Sequence, residues 1–328
     1  MPSDGPRGPH SPERTSVVVT GGSGFIGRAV VRAFRARGVA VTVVDRVPFP
    51  IGASGDDGDD GVHDGVHVVV GELRDAEVRE AAVTARTAGI IHLAALTSVL
   101  RSVERPVETY ADNVAVTQDL LELARRHEVP RFVLASTNAV IGDVGTATIS
   151  VDLPPRPLTP YGATKAACEM LLSGYSGAYG MTTCALRFTN VYGPGMSHKD
   201  SFVPRLMRAA LAGTGVRIHG DGEQRRDLVH LDDVVRAIGL AFDSGYSGRA
   251  IVGAGHSVSV LDLVETVRQV TGAALPVEHV AAPAGEMPAV VVDIAASAET
   301  IGYRPEVPLA DGLASVWKYF SELARPAR

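Results

Sequence analysis

A chain of 328 residues, 45% of them hydrophobic, can bury one large domain or two closely joined ones, and no apolar stretch reaches the roughly 20 residues of a membrane-spanning helix. Its 31 Lys and Arg against 37 Asp and Glu leave a net charge of −6 with no long basic run, which excludes a surface built for nucleic acid or an anionic membrane. Residues 1–14 lack a signal-peptide core and read as a disordered tail, so a cytoplasmic location is expected. In chain order, strands are expected at Ser16–Val19, Ala40–Val44, His67–Val70, Gly89–Leu93, Arg131–Ala135 and Thr183–Phe188. Longer amphipathic patterns such as Asn113–His127 and Tyr161–Tyr175 lie between them, which predicts an α/β, doubly wound parallel sheet. The Gly/Asp-rich stretch from Pro50 to Gly65 reads as a mobile loop, because its Asp residues lack the spacing and closing Glu of a calcium loop. Cys168 and Cys184 sit in apolar surroundings without metal-ligand spacing, so two reduced core thiols and no metal are expected. After Phe188 the pattern breaks into Pro/Gly-punctuated pieces, and a smaller C-terminal lobe is expected from Asn190.

Thr20-Gly21-Gly22-Ser23-Gly24-Phe25-Ile26-Gly27 follows the first strand and opens a helix. Glycines in that spacing permit a tight turn, let backbone N–H groups approach a pyrophosphate, and bring helix and sheet close. Asp45, at the end of the next strand, is placed to take both hydroxyls of an adenosine ribose and to repel a 2′-phosphate, which favours NAD over NADP. Arg46 beside it keeps NADP open. In Tyr161-Gly162-Ala163-Thr164-Lys165 the Tyr and Lys share one helix face. An ammonium and a cationic nicotinamide near the phenol would draw its pKa from about 10 towards neutrality.

Together with His92-Leu93-Ala94-Ala95, Asn113, Ser136-Thr137, Arg187 to Gly195 and Gly220 to Asp227, these segments resemble the extended short-chain dehydrogenase/reductase family, most closely its nucleotide-sugar epimerases of the UDP-glucose 4-epimerase type. The resemblance implies a Rossmann NAD-binding domain from 15–189 and 227–254, and a substrate-binding lobe from 190–226 and 255–328. It further implies a homodimer packed through the Asn113–His127 and Tyr161–Tyr175 helices, with Leu120, Leu121, Leu123, Met170, Leu171 and Leu172 as candidate contacts. By position, Thr137, Tyr161 and Lys165 would be catalytic. Gly21, Gly24, Phe25, Ile26, Gly27, Asp45, Arg46, Glu72, Leu73, Leu93, Ala94, Ala95 and Asn113 would bind the cofactor, Glu72 and Leu73 at the adenine. Thr97, Ser136, Asn138, Asn190, His219, Arg226 and Val290 would face a nucleotide-diphosphate sugar.

Four departures from the family pattern stand out. Related dehydratases carry an acid pair after the catalytic hydroxyl, whereas Asn138 and Ala139 stand here and neither exchanges a proton near neutrality. Elimination of water is therefore not expected. The phosphate-clamping Arg of the C-terminal lobe is missing from Ala282-Pro283-Ala284-Gly285-Glu286, with Arg225, Arg205 or Arg208 as possible substitutes. Val290 stands where a pocket-narrowing Tyr is found in epimerases that reject N-acetylated sugars, so room for an acetamido group is expected. No Arg follows Val191-Tyr192-Gly193-Pro194, so poor use of a uronate is expected. The reading is NAD-dependent C4 epimerisation of a UDP-hexose through a 4-keto intermediate; a dehydrogenase or 4-ketoreductase, and a non-catalytic nucleotide-binding protein, remain the alternatives.

Overall fold

The computed structural model describes residues 14–50, 65–282 and 288–325. The tail expected before Arg14, the Asp-rich loop between Pro50 and Gly65, and Pro283-Ala284-Gly285-Glu286 lie outside the described residues. Seven strands form one parallel sheet: β1 (Ser16–Thr20), β2 (Ala40–Asp45), β3 (Val66–Val70), β4 (Thr87–His92), β5 (Arg131–Thr137), β6 (Thr182–Phe188) and β7 (Gly248–Val252). Their spatial order is β7-β6-β5-β4-β1-β2-β3, so the winding reverses between β4 and β1. A crevice opens there, outside the carboxyl ends of the strands.

Alternation along β1 shows why both faces are covered. Val17 and Val19 join Phe34, Ala237, Ile238 and Phe242 in one buried layer, under the Phe25–Ala36 and Leu231–Ser244 helices. Val18 turns to the other face, with Leu120, Leu121, Cys168 and Leu172 of the Val116–Arg126 and Pro160–Tyr179 helices. Each such side chain withdrawn from water contributes roughly 1.5–3 kcal/mol before the entropy of ordering is counted. Cys168 and Cys184 are buried and unpaired.

The remaining elements gather around a third core containing Tyr192, Met196, Leu206, Ile218, Val264 and Val316. Here Val216–His219 pairs with Val277–Val280, while Arg225–His230 lies between Asn190–Tyr192 and Ser257–Ser259. A fourth, small cluster packs Val290 with Val140, Ile141, Ile149 and Ile251. Ile141 is thus a core residue. Among the described residues no helix is long and apolar enough to cross a membrane, and no cluster of His, Cys, Asp and Glu is arranged to hold a metal ion.

Candidate active site

One cavity of about 800 Å³ runs from the Gly21–Gly27 turn, past the ends of β2, β4 and β5, to the smaller lobe. At its first end Gly21 adopts φ +68°, and a Cβ there would lie 2.8 Å from the Ala94 nitrogen. A Cβ on Gly27 would lie 2.1 Å from the Gly21 carbonyl oxygen. Only glycine allows the turn and the helix to meet so closely. The helix begins at Gly24, which offers no side-chain cap, so its first N–H groups are left for an anion. Asp45 lines the cavity, its carboxylate accepting from the Ser23 and Val47 N–H groups at 3.0 and 3.2 Å. The cradle therefore suits a dinucleotide, its pyrophosphate at the turn and a ribose at Asp45.

Arg46 is not idle at this end. Its Nε lies 2.7 Å from Glu72 and its Nη2 3.3 Å from Asp112, which Arg74 also holds at 2.5 Å. Burial acts to lower the Arg46 pKa, but the Asp112 and Glu72 carboxylates outweigh it and raise it. The cation that could have received a 2′-phosphate is occupied by two carboxylates. Glu72 is turned to Arg46 and does not line the cavity, whereas Leu73 does.

Asn113 stands behind the wall. Its amide accepts from Leu96 N–H at 2.8 Å and donates to Leu96 O and Thr164 Oγ1 at 3.2 and 3.0 Å, so it holds the Leu93–Thr97 segment against the Pro160–Tyr179 helix. Leu93, Ala94, Ala95 and Thr97 line the cavity itself. Below them, buried His92 accepts or donates at Thr20 (2.7 Å) and Thr117 (3.1 Å), and burial depresses its pKa to about 3.

Thr137, Tyr161 and Lys165 meet at the end of β5. Thr159 caps the helix by accepting from Gly162 N–H at 3.2 Å, and Pro160 starts it, which sets Tyr161 and Lys165 one turn apart. Tyr161 faces the Thr137 hydroxyl, which acts to lower the phenol's pKa, and Lys165 Nζ donates to Ala135 O at 2.8 Å. The sequence reading expected Lys165 to lower the Tyr161 pKa. Burial dominates instead, pushing Tyr161 up to about 12 with only the Thr137 hydroxyl working downward. Lys165, 3% exposed, is itself lowered by burial.

At the smaller lobe Asn190, His219 and Arg226 line the cavity. Asn190 Nδ2 donates to Asp227 O at 3.0 Å, and Arg226 Nη1 to Arg225 O at 2.9 Å. Ser136 also reaches the wall, but its hydroxyl donates to Glu169 at 2.6 Å. Asn138 is 8% exposed and neither polar atom of its amide has a partner, directly beside Thr137. Val290 does not line the cavity; it is packed in the fourth core cluster. Of the three possible phosphate partners, Arg205 lines the cavity while Arg225 and Arg208 do not. Lys199 and Arg217 line it as well, and of these Arg217 was missed. Alternation in Val216-Arg217-Ile218-His219, with Arg217 on the same side as His219, was the available signal for it.

The profile of the NAD dependent epimerase/dehydratase family matches residues 17–254, and the chain belongs to that family. It is 31% identical to a dTDP-glucose 4,6-dehydratase of Actinoplanes sp. over 93% of this chain and 97% of that one. Against a UDP-glucose 4-epimerase of Halalkalibacterium halodurans it is 31% identical over 94% and 96%. Among solved structures it superposes on the UDP-glucose 4-epimerase of Thermotoga maritima, crystallised with UDP-glucose, with a TM-score of 0.86 at 30% identity, covering 94% of this chain and 100% of that one.

Proposed function

We propose that the protein is an NAD-dependent epimerase acting at C4 of a nucleotide-diphosphate hexose, most readily a UDP-hexose. The observation that carries this is the meeting of Thr137, Tyr161 and Lys165 in the same cavity as the glycine turn and Asp45. NAD, when bound, supplies a reversible hydride acceptor and a positive charge that favours the Tyr161 phenolate. Gly21, Gly24 and Gly27 admit its pyrophosphate, Asp45 its adenosine ribose and Lys165 its nicotinamide ribose. Thr137 holds the sugar O4 and Tyr161 removes its proton, then returns it once the 4-keto sugar has turned over on its diphosphate anchor. Asn190 and Arg226 are that anchor, with Lys199, Arg205 and Arg217 adding positive charge at the lobe. Residues 190–226 and 255–328 form the substrate-binding part in this reading.

Dehydratases among the relatives raise a second outcome, loss of water. Asn138 and Ala139 argue against it, because an amide and a methyl group cannot shuttle the two protons that elimination requires. Purified protein incubated with UDP-, dTDP- and GDP-sugars should give the C4 epimer without added NAD. A 4-keto-6-deoxy product, or net NADH, would replace this reading by dehydration or dehydrogenation. Tyr161→Phe should abolish turnover while leaving cofactor bound.

A cytoplasmic homodimer is part of the proposal. Leu120, Leu121, Leu123 and Leu172 are buried within the subunit, so they contribute nothing to such an interface. Its support comes instead from Met170, 51% exposed, and from Leu100, Val103 and Val107 on the short helices packed against the same Pro160–Tyr179 helix. A monomer by light scattering at micromolar concentration would refute it.

A further inference from the structure

Parallel pairing of β5 and β6 sets Ser136 beside Arg187 and Thr137 beside Phe188. Ser136 and Arg187 both meet Glu169, from the Pro160–Tyr179 helix. Arg187 grips that carboxylate with two bonds, Nε to Oε1 at 3.0 Å and Nη2 to Oε2 at 2.7 Å, and both side chains are 0% exposed. The Ser136 hydroxyl donates to the same Oε1 at 2.6 Å, and the remaining Arg187 Nη1 donates to Val151 O at 3.2 Å. Tyr161, Lys165 and Glu169 follow one another at four-residue intervals on one helix face. They engage, in turn, Thr137, the Ala135 carbonyl and Ser136. Helix and strand end thus meet at three successive positions, two of them joined by hydrogen bonds, and the second of these is made by Glu169, which never touches the cavity.

We propose that Ser136, Glu169 and Arg187 are a positioning unit: they fix the end of β5 against the helix so that the Thr137 hydroxyl stands at Tyr161, and the Ser136 hydroxyl is not a substrate ligand. This rests on the epimerase reading for its kinetic test. A buried carboxylate is costly unless its oxygens are satisfied, and here both are, by a bidentate guanidinium and a hydroxyl. Such a fully bonded cluster has one geometry, which is what a hydroxyl required to meet a phenol needs. The Glu169 charge also favours the Lys165 ammonium, against the burial that lowers it.

Ser136→Ala removes one bond and leaves the ion pair. The expected result is a 3- to 10-fold fall in kcat, KM for the UDP-hexose within twofold of the parent, and faster amide hydrogen exchange in the peptide spanning Phe132 to Gly142. A raised KM with kcat unchanged would overturn the proposal, since the hydroxyl would then be touching substrate. Unaltered kinetics and exchange would overturn it equally. Because Glu169→Gln strands a buried guanidinium and risks unfolding, the companion variant is Glu169→Met with Arg187→Met, which removes both charges. Its Tm should recover relative to Glu169→Gln while kcat stays low; recovery of kcat along with Tm would reduce the cluster to a stabilising role and sink the idea. Should the parent turn over no nucleotide sugar, the epimerase reading fails by itself. Hydrogen exchange in Ser136→Ala then decides the positioning unit alone.

Discussion

Cofactor choice is divided between a repelling carboxylate and a captured cation, and the two can be separated by mutation. Asp45→Asn keeps an oxygen for the Ser23 N–H but removes the charge. A carboxylate about 6 Å from a phosphate, at an effective dielectric of about 20–40, repels it by about 1.5–3 kcal/mol per unit charge, so the substitution should improve NADP affinity about 10- to 150-fold. Its hydrogen bonds to the ribose become neutral ones, which should weaken NAD by about tenfold. Adding Glu72→Ala then releases Arg46 from its 2.7 Å contact, whose two side chains are 55% and 49% exposed. A pair so open to water is worth at most about 1 kcal/mol, and Asp112, only 5% exposed, still holds the guanidinium. The second step should therefore improve NADP by no more than about fivefold and leave NAD where the single variant put it. Calorimetric titration of protein stripped of cofactor reads both steps. An equal gain for NAD and NADP on adding Glu72→Ala, or no gain for NADP, would show that Arg46 is not the group being held back.

Protonation of His92 is resisted by burial, so between about pH 6.5 and its folded pKa of about 3 the unfolded chain binds a proton that the folded one refuses. The parent should lose about 2 kcal/mol between pH 7 and pH 5 that His92→Gln does not lose, as read by urea unfolding; identical slopes would contradict the assignment. Gly27→Ala must push its methyl into backbone, since the Gly21 oxygen and Gly22 Cα would lie 2.1 and 2.6 Å away. It should purify without bound dinucleotide, and normal cofactor content would refute the cradle. Val290→Tyr should overpack the Val140–Ile141 cluster at a cost of about 1–3 kcal/mol and reduce turnover of plain and N-acetylated hexoses together. Selective loss of the N-acetylated sugar would show that the side chain reaches the pocket after all.

Much of the sheet was legible because a strand covered on both faces must be apolar throughout, as Val17-Val18-Val19 is. The seventh strand was not, since Gly248-Arg249 opens it and only Ala250-Ile251-Val252 reads as an apolar run. Helical spacing placed Tyr161 and Lys165 on one face, and only the family resemblance gave them a role. Glu169 and Arg187 were not, because a buried ion pair and a solvated one look alike in sequence and only the β5–β6 register brings Ser136 to them. Asn113 was found, but its work differs from the expected one: the residue type was readable and the direction of its amide was not. Val290 illustrates the same gap. Its distance along the chain from a Gly-Glu pair says nothing of the neighbours that enclose it.

The late arrival of β7 bears on how the chain assembles. Asn190–Tyr192 and Arg225–His230 both precede Gly248–Val252, so synthesis passes through part of the smaller lobe before β7 can pair with β6. Until then β6 presents an open, parallel edge made of Thr182–Phe188, six of whose seven residues are buried in the finished protein. An unpaired strand edge of that length is a template for another chain. Nascent or proteolysed fragments ending before Gly248 should therefore associate through β6 while the full chain does not, which makes the last strand of the sheet the step that protects the first six from one another.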